Sequence, residues 1–204
     1  MGIIAGNSAV YIFQPLLIVI SIIIKNDIPN ITDENARFLK NLIKLQKTKN
    51  MLEIGSANWF SAIQFGLELE KTWWKLITIE FSEPSQKQVL ENIKAVWLED
   101  VITSIRANAL FEIPKLNKTF DFVFIDAMKR RTTDFFDLVY DKVKLWGIIV
   151  VDDVIKFKEK MWDFWDYLAK NNLEYNILPI DDDDGILFIV KIKEKLDFRV
   201  EKNY

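Results

Sequence analysis

The stretch MLEIGSANWFSAIQFGLELEKTWWKLITIE, from Met51 to Glu80, holds two short apolar runs on either side of an amphipathic segment. Met51–Ile54 and Leu76–Ile79 have the length and the apolar content of buried strands. Ser61–Leu69 between them repeats its apolar residues at helical spacing. The same alternation continues outward. Ser85–Val96 reads as a helix, Val101–Ile105 as a strand, and a short helix follows up to Pro114. Phe122–Ile125 and Ile148–Val151 are strands, with Asp134–Val143 a helix between them and Lys158–Lys170 a helix after them. Tyr175–Ile180 and Ile186–Ile192 close the chain as two strands around a turn at Asp184-Gly185, and a turn that short makes the pair antiparallel. Strands that are apolar throughout, alternating with helices, imply an α/β fold: a doubly wound, mostly parallel sheet covered on both faces. Before the first strand, Thr32 is a candidate N-cap, with Asp33 and Glu34 suited to the positive end of a helix dipole. Phe38, Leu39, Leu42, Ile43 and Leu45 follow at helical spacing.

Composition removes whole classes of chemistry. The 204 residues contain no cysteine and no histidine, which excludes disulfides, thiolate zinc sites, cysteine nucleophiles and any imidazole base. Half of the chain is hydrophobic and 28% is charged, so a core can be buried and global disorder is excluded. A net charge of −3 argues against general affinity for nucleic acid. With no internal repeat or low-complexity linker, residues 28–204 are expected to form a single domain. Residues 1–27 stand apart as an apolar N-terminal segment. Within it, Ala9–Ile24 is a run of 16 residues broken by Gln14, Pro15 and Ser21. As a helix it would reach only roughly 24 Å, short of a bilayer span. No basic residue precedes it, as a signal peptide would require. The run reads as a buried or partner-packing segment, with a membrane anchor or an artefact of start-site choice as the alternatives, and the expected location is the cytoplasm.

In a sheet of this kind ligands bind beyond the carboxyl ends of the strands. After the first strand Gly55 permits a sharp turn, and the helix that follows offers free N–H groups to an anion. After the second strand comes Glu80, 25 residues beyond Gly55, where a carboxylate can hydrogen-bond both hydroxyls of a ribose or stand as a solvated strand-end acid. After the third come Asn108 and Ala109, of which Asn108 is suited to read an adenine edge. After the fourth and fifth come Asp126 and the pair Asp152-Asp153, three carboxylates that converge if those strands are neighbours. Such a set repels itself unless a cation joins it, and oxygen-only ligands suit Mg²⁺, Ca²⁺ or Mn²⁺. The alternative is three separate strand-end acids. Lys129, three residues after Asp126, is close enough to share the site; near a metal its pKa would fall and make it a usable base. The block Asp181–Asp184 reads most simply as a solvated hairpin end.

These residues carry a resemblance. From about Ile28 to Lys193 the chain resembles the class I, S-adenosylmethionine-dependent O-methyltransferases of the catechol and caffeoyl-CoA type. The matching pieces are Leu52-Glu53-Ile54-Gly55 with Ser61, Thr78-Ile79-Glu80, Phe122 to Lys129, and Gly147 to Asp153. The resemblance implies a Rossmann-like sheet with an antiparallel C-terminal hairpin strand. It implies that Glu53, Gly55, Ser61, Glu80, Asn108, Ala109 and Asp126 hold the cofactor, with Ile31 and Thr32 lining the methyl-transfer site. Asp126, Asp152 and Asp153 would bind Mg²⁺ or another divalent cation, and Lys129 would be the general base. The implied acceptor is a hydroxylated small molecule with neighbouring oxygens, and the implied assembly is a homodimer. Methylation of hydroxyuridine in tRNA is a rival, with Lys129-Arg130-Arg131 and Lys40, Lys44, Lys47 and Lys49 as candidate phosphate contacts. A non-catalytic binding module, its pocket blocked by Trp59, is another.

The chain departs from the resembled family at Asp153, where asparagine is usual, and at Asn108, where aspartate is common. Its tryptophans depart further. Glycine is expected at Trp59, and glycine or a similar turn residue at Trp73-Trp74, Trp97 and Trp146. Glycine numbers only 6 against 7 tryptophans, where average usage would give roughly 14 glycines. One cause covers all five positions, a UGA codon that the source organism reads as glycine and that is translated here as tryptophan. Genuine tryptophans in a drifted homologue are the alternative. Trp162 and Trp165, at helical spacing within a helix, read as genuine.

Overall fold

The computed structural model describes residues 31–56, 59–180, 182 and 184–200. The apolar run Ala9–Ile24 and the expected boundary at residue 27 lie outside the described residues. In chain order the elements are α1 (Asp33–Gln46), β1 (Asn50–Ile54), α2 (Phe60–Glu70), β2 (Lys75–Glu80), α3 (Glu83–Ala95), β3 (Ile102–Arg106), α4 (Ala109–Glu112) and β4 (Phe120–Ile125). They continue with α5 (Thr132–Tyr140), β5 (Val143–Val151), α6 (Trp162–Lys170), β6 (Asn176–Leu178) and β7 (Ile186–Val190).

All seven strands join one sheet in the order β3-β2-β1-β4-β5-β7-β6. The first five are mutually parallel, while β7 runs antiparallel to both β5 and β6. This is the doubly wound, mostly parallel sheet expected from the alternation of apolar runs and helices. Side chains alternate between two buried layers. Met51, Phe122, Phe124, Ile148 and Val150 face α1, α2 and α3; Leu52, Ile54, Val123, Ile125, Ile149 and Val151 face α4, α5 and α6. Burying one such side chain contributes roughly 1.5–3 kcal/mol, so the central strands are the fold's main source of stability. Aromatic edges fill both layers: Phe65 meets Phe124 at 5.3 Å between ring centroids, and Phe136 meets Phe164 at 5.3 Å.

Local signals set the helix ends. Thr32 Oγ1 accepts the Asn35 N–H at 3.2 Å and caps α1, whose first turn carries Asp33 and Glu34. Ser82 caps α3 in the same way, with Pro84 in the first turn. Several boundaries differ from the sequence reading; β6, for one, covers only Asn176–Leu178 of the expected Tyr175–Ile180, and two helix ends move for a clear reason. The helix expected over Asp134–Val143 stops at Tyr140, because Val143 pairs with Phe120 and opens a nine-residue strand. The helix expected from Lys158 begins as a 3₁₀ turn over Lys158–Met161 and becomes α-helical at Trp162. The hairpin end also differs. Asp184 is buried, not solvated, its Oδ1 accepting the backbone N–H groups of Gly185, Lys156 and Ile155. Asp182 is exposed, and Asp181 and Asp183 lie outside the described residues.

The strand order reverses between β1 and β4, and the crevice at their carboxyl ends is where a doubly wound sheet binds its ligand.

Candidate active site

Gly55, the first residue beyond β1, has φ +85°. A Cβ there would lie 2.1 Å from the backbone oxygen of Asp126. The left-handed turn and the close approach both demand glycine, and together they keep the floor of the crevice open. Beside it lies a cavity of about 690 Å³ lined by residues that include Gly55, Glu80, Asn108, Ala109, Asp126 and Phe135. That is within the size range of small-molecule and cofactor sites. Glu80 ends β2 with its carboxylate accepting the Ser82 N–H at 2.7 Å. Asn108 caps α4 through its Oδ1, which accepts the Leu110 N–H at 3.0 Å.

Four other expected contacts stand away from the cavity lining. Ser61 Oγ donates to Glu53 Oε1 at 2.6 Å, and both residues are buried beneath the crevice. Burial pushes the Glu53 carboxyl up to about 7, against the pull of the Ser61 and Thr78 hydroxyls. Thr32 serves as the N-cap of α1, and Ile31 packs against the apolar layer beneath it.

Beyond β4 and β5 the charged residues do converge. Lys129 Nζ lies 2.7 Å from Asp126 Oδ1 and 2.8 Å from Asp153 Oδ2. Burial alone would lower the Lys129 pKa, but the two carboxylates outweigh it and hold the ammonium above the usual lysine value. Asp152 is buried, and burial together with Asp126 and Asp153 raises its carboxyl well above the ordinary range. Asp153 is lowered, because Lys129 overcomes the effect of burial. Its φ of 59° explains why the position suits Asp or Asn, which tolerate the left-handed region better than other side chains. Among the described residues, no three acidic side chains are gathered closely enough to hold a metal ion by themselves; the Lys129 ammonium stands between two of the three expected ligands.

Two residues of this site were not singled out from the sequence. Asn35 Nδ2 donates to Asp152 Oδ1 at 3.2 Å, which brings the N-terminus of α1 to the cluster. Its Oδ1 is buried with no partner among the described residues. The available signal was a polar residue in register with Leu39 and Ile43 on the buried stripe of α1. Asp184 is the second. Burial and the adjacent Asp153 raise its carboxyl, so it is the member of that pair that takes a proton first.

A sequence profile of the O-methyltransferase family matches residues 19–177. The chain belongs to this family. Among the relatives of this chain is a catechol O-methyltransferase of Niastella koreensis, 28% identical over 131 residues, or 62% of this chain and 59% of that protein. A caffeoyl-CoA O-methyltransferase of Petroselinum crispum is 28% identical over 128 residues, 60% of this chain and 53% of that protein. The chain thus spans between 51% and 63% of the length of curated relatives such as these. An O-methyltransferase of Bacillus cereus, solved in complex with SAH, superposes with a TM-score of 0.75 over 93% of each chain at 22% identity, which establishes the fold.

Proposed function

We propose that this O-methyltransferase transfers a methyl group from S-adenosylmethionine to a hydroxyl of a catechol-like or vicinal-diol small molecule, assisted by a divalent cation such as Mg²⁺. The observation that carries the reading is Lys129 held between Asp126 and Asp153 at the edge of the 690 Å³ cavity. The open cradle at Gly55 and the carboxylate of Glu80 fit the cofactor, Glu80 matching its ribose hydroxyls and Asn108-Ala109 its adenine. Asp126, Asp152 and Asp153 are the residues that would hold a hard cation, once Lys129 leaves its place between Asp126 and Asp153. All donors are oxygens, Asp152 is buried among like charges, and Asn35 Oδ1 beside it has no partner among the described residues. A cation held there would bind neighbouring oxygens of the acceptor and lower the pKa of the attacking hydroxyl.

Lys129 is the group placed to take that hydroxyl's proton. It does so only from its neutral form, so the carboxylates that now hold it as an ammonium must be engaged elsewhere in the working state. Asp152, fixed by Asn35, anchors the far side of the cluster. Much of the acceleration comes from holding the acceptor oxygen and the methyl group in line.

A small acceptor is favoured over tRNA because most of the lysines suited to phosphate contact are already committed. Lys40 donates to Gln64 at 2.6 Å, Lys44 pairs with Glu68 at 3.5 Å, and Lys49 lies over the Trp74 ring. Nor does Trp59 line the cavity: its indole is buried in the apolar layer beside α1 and α2. The test is methyl transfer from radiolabelled S-adenosylmethionine to a catechol or to bulk tRNA, with Mg²⁺ or with chelator. Labelled catechol that vanishes in chelator supports the proposal. Label in RNA alone overturns the choice of acceptor, and product unaffected by chelator overturns the role of the cation.

A further inference from the structure

Seven non-glycine residues among those described have positive φ, and four of them are tryptophans: Trp59 (64°), Trp73 (59°), Trp97 (55°) and Trp146 (65°). A bulky side chain in this region is a steric outlier, because its Cβ crowds the backbone. The other three are Lys47, Asp153 and Asn172, two of them from the Asp/Asn class that tolerates the conformation.

The four tryptophans occupy backbone motifs whose default residue is glycine. After α2, the Trp73 N–H donates to Glu70 O and the Trp74 N–H to Leu69 O, both at 3.1 Å. After α3, the Trp97 N–H donates to Lys94 O at 3.2 Å and the Leu98 N–H to Ile93 O at 3.0 Å. Each pair of bonds is a Schellman motif with tryptophan at the left-handed position, where glycine carries no Cβ penalty. In β5, the Trp146 N–H donates to Lys191 O at 2.7 Å and the Lys191 N–H to Gly147 O at 2.9 Å. Two residues of one strand thus oppose one residue of its partner, with Trp146 at the left-handed first position of the bulge, again a glycine position. Trp59 is left-handed at the entrance to α2, in the loop that follows Gly55.

Packing offers no compensation at three of the four. Trp73, Trp97 and Trp146 are 79%, 61% and 68% exposed. Trp59 is buried, but its Nε1 has no partner among the described residues. The remaining tryptophans behave otherwise. Trp165 donates through Nε1 to Lys158 O at 3.1 Å and stacks with Phe164 and Tyr175. Trp162 lies in α6. Trp74, at the position where a Schellman motif takes an apolar residue, packs against the layer containing Leu69 and lies outside the positive-φ set.

We infer that the natural polypeptide carries glycine at positions 59, 73, 97 and 146, encoded by UGA codons that its source reads as glycine. Two independent tests apply. The gene and the peptides of the protein isolated from its own cells are read at these positions. UGA codons with glycine in the peptides are expected, alongside UGG and tryptophan at 162 and 165. UGG codons, or tryptophan in the native peptides, overturn the inference. Separately, the chain carrying Trp73→Gly, Trp97→Gly and Trp146→Gly together is melted beside the tryptophan form and beside Trp165→Gly. The triple variant is expected to melt roughly 5 °C or more higher, and Trp165→Gly lower. A triple variant that melts no higher than the tryptophan form overturns the inference, and neither arm depends on catalysis.

Discussion

Replacing Gly55 with alanine tests the geometry on which the whole crevice depends. The new Cβ lies 2.1 Å from Asp126 O, 2.9 Å from Asp126 C and 3.2 Å from the Ala127 Cα, all of them backbone atoms. They cannot move freely, because the Asp126 N–H donates to Ile54 O and the Gly55 N–H to Ile79 O, each at 2.9 Å. An alanine at φ +85° costs about 1–2 kcal/mol, and displacing packed backbone adds about 1–3 kcal/mol. The sum, about 2–5 kcal/mol, lowers the melting temperature by roughly 10 °C in a chain of this size. Gly66→Ala is the control. Its Cβ meets only side-chain atoms, Ile102 Cδ1 and Cγ1 and Leu98 Cδ1, and the repacking they need is offset in part by about 1 kcal/mol of helix propensity, so it should melt above Gly55→Ala. Thermal denaturation followed by circular dichroism compares the two. If Gly55→Ala melts with the parent, β1 and β4 do not approach as described and the argument for an open cradle fails.

Three further perturbations follow from the site. Glu53 has its carboxyl raised from 4.5 to about 7, so its contribution to stability is complete below pH about 4.5 and lost as pH rises through about 7. Glu53→Gln, which keeps an acceptor for Ser61, should match the parent at pH 4 in denaturant titrations and exceed it at pH 8 by up to roughly 3 kcal/mol; equal stability at both pH values refutes the assignment. Asp184→Ala leaves three backbone N–H groups without their acceptor and should destabilise by about 3 kcal/mol in urea, whereas Asp184→Asn keeps Oδ1 and should lose under about 1 kcal/mol. Lys129→Met should lower kcat roughly 10²–10⁴-fold while cofactor affinity, read by calorimetry, stays within about threefold; an unchanged kcat removes Lys129 from the chemistry.

The sheet was legible in the sequence because central parallel strands are buried on both faces and stand out as short apolar runs. Phe122–Ile125 and Ile148–Val151 were of this kind, and both are strands. The start of β5 was not legible. Val143, Lys144 and Leu145 continue the apolar spacing of α5, and only pairing with Phe120 makes them a strand. Rim residues such as Gly55, Glu80 and Asp126 were readable because a doubly wound sheet puts its ligands after the strands. Asn35 and Asp184 were not, since each reaches the cluster through a contact of long sequence separation, from the first helix and from the hairpin turn. The block of four acids concealed Asp184 by looking like a solvated turn. The tryptophans were legible as anomalies from composition alone, but it took the backbone to show that four of them stand in left-handed positions.

The most direct test of the account is calorimetric titration of S-adenosylmethionine into the chain with tryptophan at position 59, with Trp59→Gly and Glu80→Ala variants measured beside it. One molecule should bind per chain of the Trp59→Gly form, and adding Glu80→Ala to it should cost at least a tenfold loss of affinity. Silence from both the tryptophan and the glycine forms, with both folded, would contradict the account.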